Sequence, residues 1–133
     1  MELKIDENCI VYEPPLHDGF AEGLRVDRAK KLAILECSTV DGKPYTLSFE
    51  GIMRLEGSDF REGNIISTIF LFKGMSIPDE EIRNLFFGAH SKAKAENISK
   101  VTNDVKSSGL YFFRLWASYG LTLNVICKEI SYR

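Results

Sequence analysis

The feature that most constrains this chain is an alternation of apolar and polar residues that runs, with turn residues between its segments, through residues 24–72. Successive side chains of a β-strand point to opposite faces of a sheet, so a period of two predicts strands with one buried and one solvent-exposed face. The clearest segment is residues 45–50, in which every second side chain is large and apolar. Asp41-Gly42 tolerates positive φ and predicts a tight turn just before that strand. Sheet is therefore the main element that the sequence predicts.

Residues 65–72 are apolar or hydroxyl-bearing at every position, unlike the alternating segments before them. A strand without a polar face has both of its faces covered by other parts of the protein. We therefore expect this segment to be the central strand of the sheet, with a helix from the following segment packed on its second face.

A helix is predicted to begin at Ser76. Serine is a favoured N-cap, Pro78 falls in the first turn, and the three acids at 79–81 lie near the positive end of the helix dipole. Gly88 predicts the end of this helix. Residues 89–108 are polar, with a few apolar residues at helical spacing, which leaves both a second, more exposed helix and an irregular loop open.

Two apolar runs, at residues 110–118 and 121–127, flank Tyr119-Gly120 and predict a C-terminal hairpin. Its aromatic residues predict a large contribution to the core, since each buries about 150–250 Å² in a typical protein. With the earlier strands, the hairpin predicts an α+β fold that is mainly antiparallel β: a sandwich or strongly curled sheet of about six or seven strands, with one or two helices inserted before the hairpin. The length of 133 residues predicts a single domain over residues 1–133.

Composition narrows the classes of partner. Lys and Arg total 17 against 19 for Asp and Glu, and neither sign forms a long run, so the sequence predicts no binding to nucleic acid or to anionic membranes. No segment has the roughly 20 consecutive apolar residues that a membrane-spanning helix needs. The first residues include acids and no apolar signal-peptide core, so we expect a cytoplasmic protein.

Neither metal nor cofactor chemistry is predicted. Cys9, Cys37 and Cys127 lie far apart, form no C-x-x-C pair, and have only His17 and His90 to help them hold a metal. Cys37 and Cys127 fall within apolar alternations, which predicts buried, reduced thiols. The sequence has neither a glycine-rich phosphate-binding motif nor a nucleophile-elbow motif, so we expect no nucleotide cofactor and no hydrolase activity.

His17-Asp18-Gly19 is the one place in the sequence where a histidine adjoins a carboxylate, a pairing that can serve as a general base. Adjacent residues of an extended segment point in opposite directions, so we expect Asp18 to be poorly placed to orient the imidazole. The favoured interpretation is a turn at Asp18-Gly19, with His17 hydrogen-bonded to backbone nearby.

Charged residues of both signs cluster between two predicted strands, at Asp59, Arg61 and Glu62. They predict either a small ion-pair network or a polar rim that faces a partner. Asn64 follows them and predicts either a left-handed turn residue or a side-chain amide that pins a neighbouring loop.

Several of these short motifs occur in one arrangement. It comprises Leu-His-Asp-Gly at 16–19, an Asp-Gly hairpin at 41–42, Phe-Glu-Gly at 49–51, Asp-Phe-Arg-Glu-Gly-Asn-Ile-Ile at 59–66, and Ser-Tyr-Gly at 118–120 before a cysteine-bearing strand. In this arrangement the chain resembles small bacterial domains, some of which are described as immunity proteins of toxin systems. The resemblance covers most of the chain outside the helical segment. It implies a bacterial cytoplasmic domain without enzymatic activity that binds a protein, and it assigns no catalytic residue.

Three functional hypotheses follow from the sequence. The first is a non-enzymatic protein-binding module, with an immunity-type inhibitor of a bacterial toxin as its specific form. The second is a small-molecule binder or an enzyme that uses His17 with nearby carboxylates. The third is a homo-oligomeric structural component that pairs through a strand edge or the aromatic hairpin. The candidate partner-binding residues are His17, Asp18, Asp59, Arg61, Glu62 and Asn64.

Overall fold

Ten β-strands and two α-helices are formed by residues 1–88 and 92–133, the part of the chain that the computed structural model describes. The strands are β1 (Lys4–Ile5), β2 (Val11–Glu13), β3 (Phe20–Asp27), β4 (Leu32–Ser38), β5 (Pro44–Glu50), β6 (Arg54–Ser58), β7 (Asn64–Lys73), β8 (Tyr111–Tyr119), β9 (Thr122–Cys127) and β10 (Glu129–Tyr132). Between β7 and β8 lie a short 3-10 helix (Gly74–Ser76) and the helices α1 (Asp79–Phe87) and α2 (Ala95–Ser107).

Eight of the strands form one antiparallel sheet in the order β10-β5-β4-β3-β7-β8-β9-β6, while β1 and β2 form a separate antiparallel pair. The prediction of a mainly antiparallel β fold with helices inserted before the last strands is confirmed. The prediction of about six or seven strands was too low, because β1, β2 and β10 were missed. These strands have 2, 3 and 4 residues, too few for a period of two to be recognised in sequence.

Strand β7 lies inside the sheet, as predicted, but its two neighbours pair with it over different lengths. It pairs with β8 from Ile65 to Lys73, along nearly its whole length. With β3 it pairs only at Phe20 and Ala21. Beyond Ala21, β3 is bonded only to β4, so one edge of this strand has no partner strand among the described residues.

The main hydrophobic core lies against one face of the sheet and draws residues from seven of its strands. Its buried members include Phe49 of β5 and Phe113 of β8, both fully inaccessible to solvent. Their ring centroids are 4.8 Å apart with an edge-to-face angle of 75°. Three strands separate β5 from β8 in the sheet, so this contact joins strands that are not neighbours.

Helices α1 and α2 cover part of the other face, chiefly over β8 and β9; β7, on which a helix was predicted to pack, contributes the partly buried Phe72. A second buried cluster joins them to β8 and β9, and its members are Ile77, Ile82, Val105, Leu110, Phe112 and Ile126. Two ion pairs add to this contact: Arg114 to Glu81 at 2.8 Å, and Lys106 to Asp79 at 2.6 Å. Neither of the described helices is long and apolar enough to cross a membrane.

The predicted start of the first helix is wrong. Helix α1 begins at Asp79, and Ser76 belongs to the 3-10 helix, where its hydroxyl bonds the backbone N–H and carbonyl of Lys73. The physical reason is Pro78, which disfavours helical geometry at the residue before it. Ile77 is accordingly extended, with ψ of 125°, and no helix can pass through it.

The predicted end of this helix at Gly88 is confirmed, since that residue adopts a φ of 82° after α1. For residues 89–108 the sequence left a helix and an irregular loop open, and most of this segment is helix α2. Residues 89–91 lie outside the described part of the chain.

Replacing Phe113 by alanine is expected to lower the free energy of unfolding by about 3–5 kcal/mol, because it leaves a cavity between β5 and β8. Urea denaturation measures the loss. Val40→Ala is the control, because Val40 is 64% exposed and its truncation should change the stability by less than about 0.5 kcal/mol. Equal effects of the two substitutions would contradict the role given to the Phe49–Phe113 contact.

Candidate functional site

The segment that carries His17 is held in a tight turn against β7. Leu16 is buried, and the backbone N–H of Asp18 donates to the carbonyl of Ile66 at 2.9 Å. Asp18 has a φ of 61°, a conformation that aspartate tolerates better than most residues. Gly19 follows, and a Cβ there would collide with the Ser38 carbonyl oxygen. The sequence predicted this turn from Asp18-Gly19, and the structure confirms it.

The side chains of His17 and Asp18 lie near each other, where an extended segment would turn them apart. The only hydrogen bond of the imidazole within the described residues is to the Ser67 carbonyl, in keeping with the expectation that Asp18 does not orient the ring. The imidazole Nε2 is 3.5 Å from the Asp18 carboxylate. The expectation assumed an extended backbone, and the positive φ of Asp18 removes that assumption. The other ring nitrogen, Nδ1, lies 2.5 Å from the carbonyl oxygen of Ser67. A carbonyl only accepts hydrogen bonds, so Nδ1 carries a proton and Nε2 of the neutral ring is an acceptor.

His17 also lines a cleft of about 420 Å³. The cleft lies beside β7, between Phe70, which pairs with Ile10, and Ile65, which pairs with Phe20 of β3. Its lining residues are Ile10, Val11, Tyr12, Pro15, Leu16, His17, Ser67, Thr68 and Ile69. These residues supply one imidazole and three hydroxyls, those of Tyr12, Ser67 and Thr68, but neither a carboxylate nor a thiol. His17 bonds the Ser67 carbonyl rather than its hydroxyl, so the pair is not arranged as a nucleophile with its base.

Asn64 uses its whole side-chain amide to join three parts of the chain. It is 1% exposed. Its Oδ1 accepts from the backbone N–H of Arg61 at 2.8 Å and of Leu121 at 2.9 Å. Its Nδ2 donates to the carbonyls of Arg61 at 2.9 Å and of Ala21 at 3.1 Å. Of the candidate partner-binding residues, Asn64 therefore lies beneath the surface and holds its loop, while others lie on the surface.

Arg61 and Glu62 both contact Tyr119 of β8. The guanidinium of Arg61 lies over the Tyr119 ring, 5.4 Å from its centroid. The Tyr119 hydroxyl donates to Oε1 of Glu62 at 3.2 Å. The predicted ion-pair network is wrong, because Asp59, Arg61 and Glu62 form no ion pair within the described residues. Instead, Tyr119 lies between the charged groups of Arg61 and Glu62. It belongs to β8, which is distant from them in sequence.

Exposed aromatic residues stand on two strands, β3 and β8, on either side of β7. Phe20, Ile65 and Tyr119 are register partners on β3, β7 and β8, so their side chains share one face of the sheet. Phe20 is 37% exposed and Tyr119 is 42% exposed. Trp116, opposite Thr68 of β7, is 59% exposed.

We call the three exposed aromatic residues Phe20, Trp116 and Tyr119 the aromatic patch. The sequence prediction that the aromatic hairpin belongs to the core holds for Phe112 and Phe113 but is wrong for Trp116. The alternation of the strand could have predicted that Trp116 is exposed. Phe113 and Leu115 face the core, and Trp116, the next residue, therefore faces away from it. Phe20 had no signal of this kind, because only its pairing with Ile65 places it beside Tyr119.

Four of the predicted residues form the rim of the aromatic patch: His17, Asp18, Arg61 and Glu62. A short part of β7, residues 65–68, brings them together. Ile65 pairs with Phe20 and Tyr119, the Ser67 carbonyl bonds His17, and Thr68 pairs with Trp116. Asp59 is not part of this rim, because it lines a separate cavity between β3 and β6.

The cysteines show no sign of shared chemistry. Cys37 and Cys127 are buried, and burial raises the pKa of each thiol to about 12. Cys9 is partly exposed. Within residues 1–88 and 92–133, no group of three or more His, Cys, Asp and Glu side chains is placed to hold a metal ion.

Replacing Asn64 by alanine is expected to lower the free energy of unfolding by about 3 kcal/mol, since it leaves buried backbone groups without partners. Asn124→Ala is a matched control. Its Oδ1 is buried without a hydrogen-bond partner among the described residues, so the same truncation should cost less than about 1 kcal/mol. Chemical denaturation compares them, and equal losses would contradict the pinning role of Asn64.

The thiols are expected to differ sharply in reactivity. A thiol with a pKa of about 12 is ionised in about one molecule in ten thousand at pH 8, and only the thiolate reacts quickly. A disulfide reagent such as Ellman's should therefore react with about one thiol per native chain and with all 3 after unfolding. Cys9→Ser should remove the native reaction. Rapid reaction of a second thiol in the folded protein would show that Cys37 or Cys127 is accessible.

Comparison of the chain with models of protein families gave no match, and comparison with curated proteins gave none either.

Proposed function

We propose that this protein is a non-enzymatic protein-binding module whose contact surface is the aromatic patch with its polar rim. The observation that carries this proposal is the group of exposed aromatic side chains on β3 and β8, the two strands that flank β7. Exposed apolar residues that stand singly need no explanation, but a contiguous group with a polar rim is typical of an interaction site. Tyr and Trp are also the residues most enriched among those that dominate binding energy.

The rigidity of the patch supports the proposal. Its aromatic side chains stand on strands of a sheet, and Asn64 bonds both the loop beside them and the residue after Gly120. A surface that is already ordered loses little conformational entropy on binding. Aromatic side chains add to this advantage because they have only two rotatable bonds.

The charges of the rim favour a protein partner over a nucleic acid. Arg61 is the one permanent cation in the rim, and Asp18 and Glu62 are both carboxylates. A surface that follows a phosphate backbone needs a majority of Lys and Arg around its aromatic residues. Mixed charges around an apolar centre are the usual composition of a protein interface.

A more specific form of the proposal is an immunity-type inhibitor that binds a toxin in the bacterial cytoplasm. It is supported by the resemblance of the turn motifs at 16–19, 59–66 and 118–120, which surround the aromatic patch in the fold. Homo-oligomerisation through the same patch is the competing outcome, since an exposed apolar surface can also meet its own copy.

We further infer that the sheet is strongly curled, in the manner of a sandwich, around the main core. The edge-to-face contact between Phe49 and Phe113 supports this shape, because β5 and β8 are not neighbours in the sheet. Curling would turn the aromatic patch outward as a convex surface.

The alternative, a small-molecule binder or an enzyme that uses His17, rests on the cleft beside β7. Cavities of about 300–1,000 Å³ with apolar walls and a few polar groups are typical ligand sites, and this cleft has that composition. Asp18 is the nearby carboxylate, but it is largely exposed and does not line the cleft. The aromatic patch is favoured over the cleft as the binding site, because more of the hydrogen bonds and ring contacts that hold the surface in place belong to the patch and its rim.

Trp116→Ala is expected to weaken binding of the toxin-like product of an adjacent gene about 30-fold, corresponding to about 2 kcal/mol. Titration calorimetry with the purified product measures the affinity. Tyr12→Ala tests the cleft, because Tyr12 is 57% exposed and lines the cleft together with the rim residue His17. Val40→Ala is the control, because Val40 is 64% exposed and belongs neither to the patch and its rim nor to the cleft. Its affinity should match the wild type.

Two results would overturn parts of this proposal. A loss of affinity with Tyr12→Ala but none with Trp116→Ala would move the binding site to the cleft. Failure of the adjacent gene product to bind at micromolar concentration, together with a dimer in sedimentation that Trp116→Ala dissociates, would replace the heterologous partner by a second copy.

A further inference from the structure

Strands β3 and β6 of the main sheet each have an edge without a partner strand among the described residues. Strand β3 pairs with β7 only at Phe20 and Ala21, which leaves six residues, 22–27, without a partner strand on that side. On the other side, residues 23–27 pair with β4, and Glu22 lies at a bulge. Strand β6 pairs with β9 on one edge, and within the described residues nothing pairs with its other edge. The backbone N–H and C=O groups of such edges are available to another strand.

Both strands line two cavities that share one lining residue. A cavity of about 350 Å³ lies between Leu24 of β3 and Gly57 of β6, and a cavity of about 410 Å³ lies between Val26 of β3 and Arg54 of β6. Leu55 lines both cavities, so they adjoin. We call this feature the β3–β6 groove.

The floor of the β3–β6 groove is the main core itself. Leu121 is 1% exposed, and Leu24, Ile52 and Leu55 pack against the core while remaining partly exposed. Apolar residues also stand at the margins of the groove. They are Val26, Met53 and Phe60, which are about half exposed. An apolar occupant would therefore cover core residues that solvent now reaches.

The ends of the groove differ in charge. One end carries Arg28, Lys31 and Arg54 against a single carboxylate, Asp27. Arg28 and Lys31 form no ion pair within residues 1–88 and 92–133, and Asp27 is occupied with the backbone N–H of Lys30. Asp59 lies at the other end. This end of the groove therefore carries three cations and one carboxylate.

We propose that an extended segment of the partner protein, apolar at alternate positions and acidic at one end, binds in the β3–β6 groove and adds as a strand to β3. This inference rests on the proposed function. The free edge of β3 supplies backbone hydrogen bonds, the apolar floor receives every second side chain, and Arg28 with Lys31 fixes the acidic end. β3 is the acceptor because Arg28 and Lys31, which fix the acidic end, lie in the turn that follows its open edge.

The test uses a synthetic eight-residue peptide in which valine alternates with threonine and whose first polar positions are glutamate. A second peptide carries lysine in place of glutamate. Amide hydrogen exchange, read by NMR on the full chain, reports where the peptide binds, and calorimetry gives its affinity. We expect the acidic peptide to protect amides within residues 22–27 and to bind about tenfold more tightly than the basic peptide.

Charge reversal provides the matched variants. Arg28→Glu combined with Lys31→Glu should weaken the acidic peptide about tenfold and strengthen the basic one. Lys43→Glu combined with Lys100→Glu changes the net charge equally, on residues outside the groove, and should leave both affinities unchanged. An affinity that falls equally in the two double variants would reduce the effect to net charge and overturn the assignment of the acidic end.

Three other results would overturn the groove as the binding site. They are protection of the amides of β8 in place of those of β3, no protection of β3 at any peptide concentration, and concentration-dependent protection of β3 without peptide, which would make a second copy the occupant. Failure here is separable from failure of the proposed function. If Trp116→Ala weakens the partner while Arg28→Glu with Lys31→Glu does not, the patch stands and the groove does not.

Discussion

The side-chain amide of Asn64 is the interaction on which the surface of this protein depends. Its four hydrogen bonds connect β3 through Ala21, the loop before β7 through Arg61, and the start of β9 through Leu121. These bonds are made at the one place where β3 remains paired with β7. A buried amide with every donor and acceptor used stabilises one arrangement strongly, because each competing arrangement leaves polar groups unsatisfied.

Much of the fold could be predicted because its strands are long enough to show a period. Seven strands, the helical insertion and the buried positions of Cys37 and Cys127 followed from local pattern. The strands β1, β2 and β10 could not be found, since their few residues acquire strand geometry only from partners distant in sequence. The prediction that a helix begins at Ser76 failed for a different reason. Two local signals competed, and the extended geometry that Pro78 imposes on Ile77 outweighed the capping preference of serine.

The turns of the candidate site could be predicted from the sequence, but the contacts between its residues that are distant in sequence could not. Asp18 is a turn residue whose chemistry is local, so its role could be anticipated. Asn64 is the first residue of β7, and only its bonds to Arg61 follow from the local sequence. That Tyr119 would separate Arg61 from Glu62 depends on the register between β7 and β8, which single residues do not encode. The exposure of Trp116 lay within reach of the alternation, but aromatic density was given more weight than the period.

The partly unpaired edge of β3 has a cost as well as a use. An open strand edge can template uncontrolled aggregation with other copies of the chain, during synthesis or at high concentration. Three of the six positions on this edge are charged, namely Glu22, Arg25 and Asp27, and charges at an edge oppose flat strand stacking. The chain can in this way keep an edge available for a chosen strand while discouraging amyloid-like association with itself.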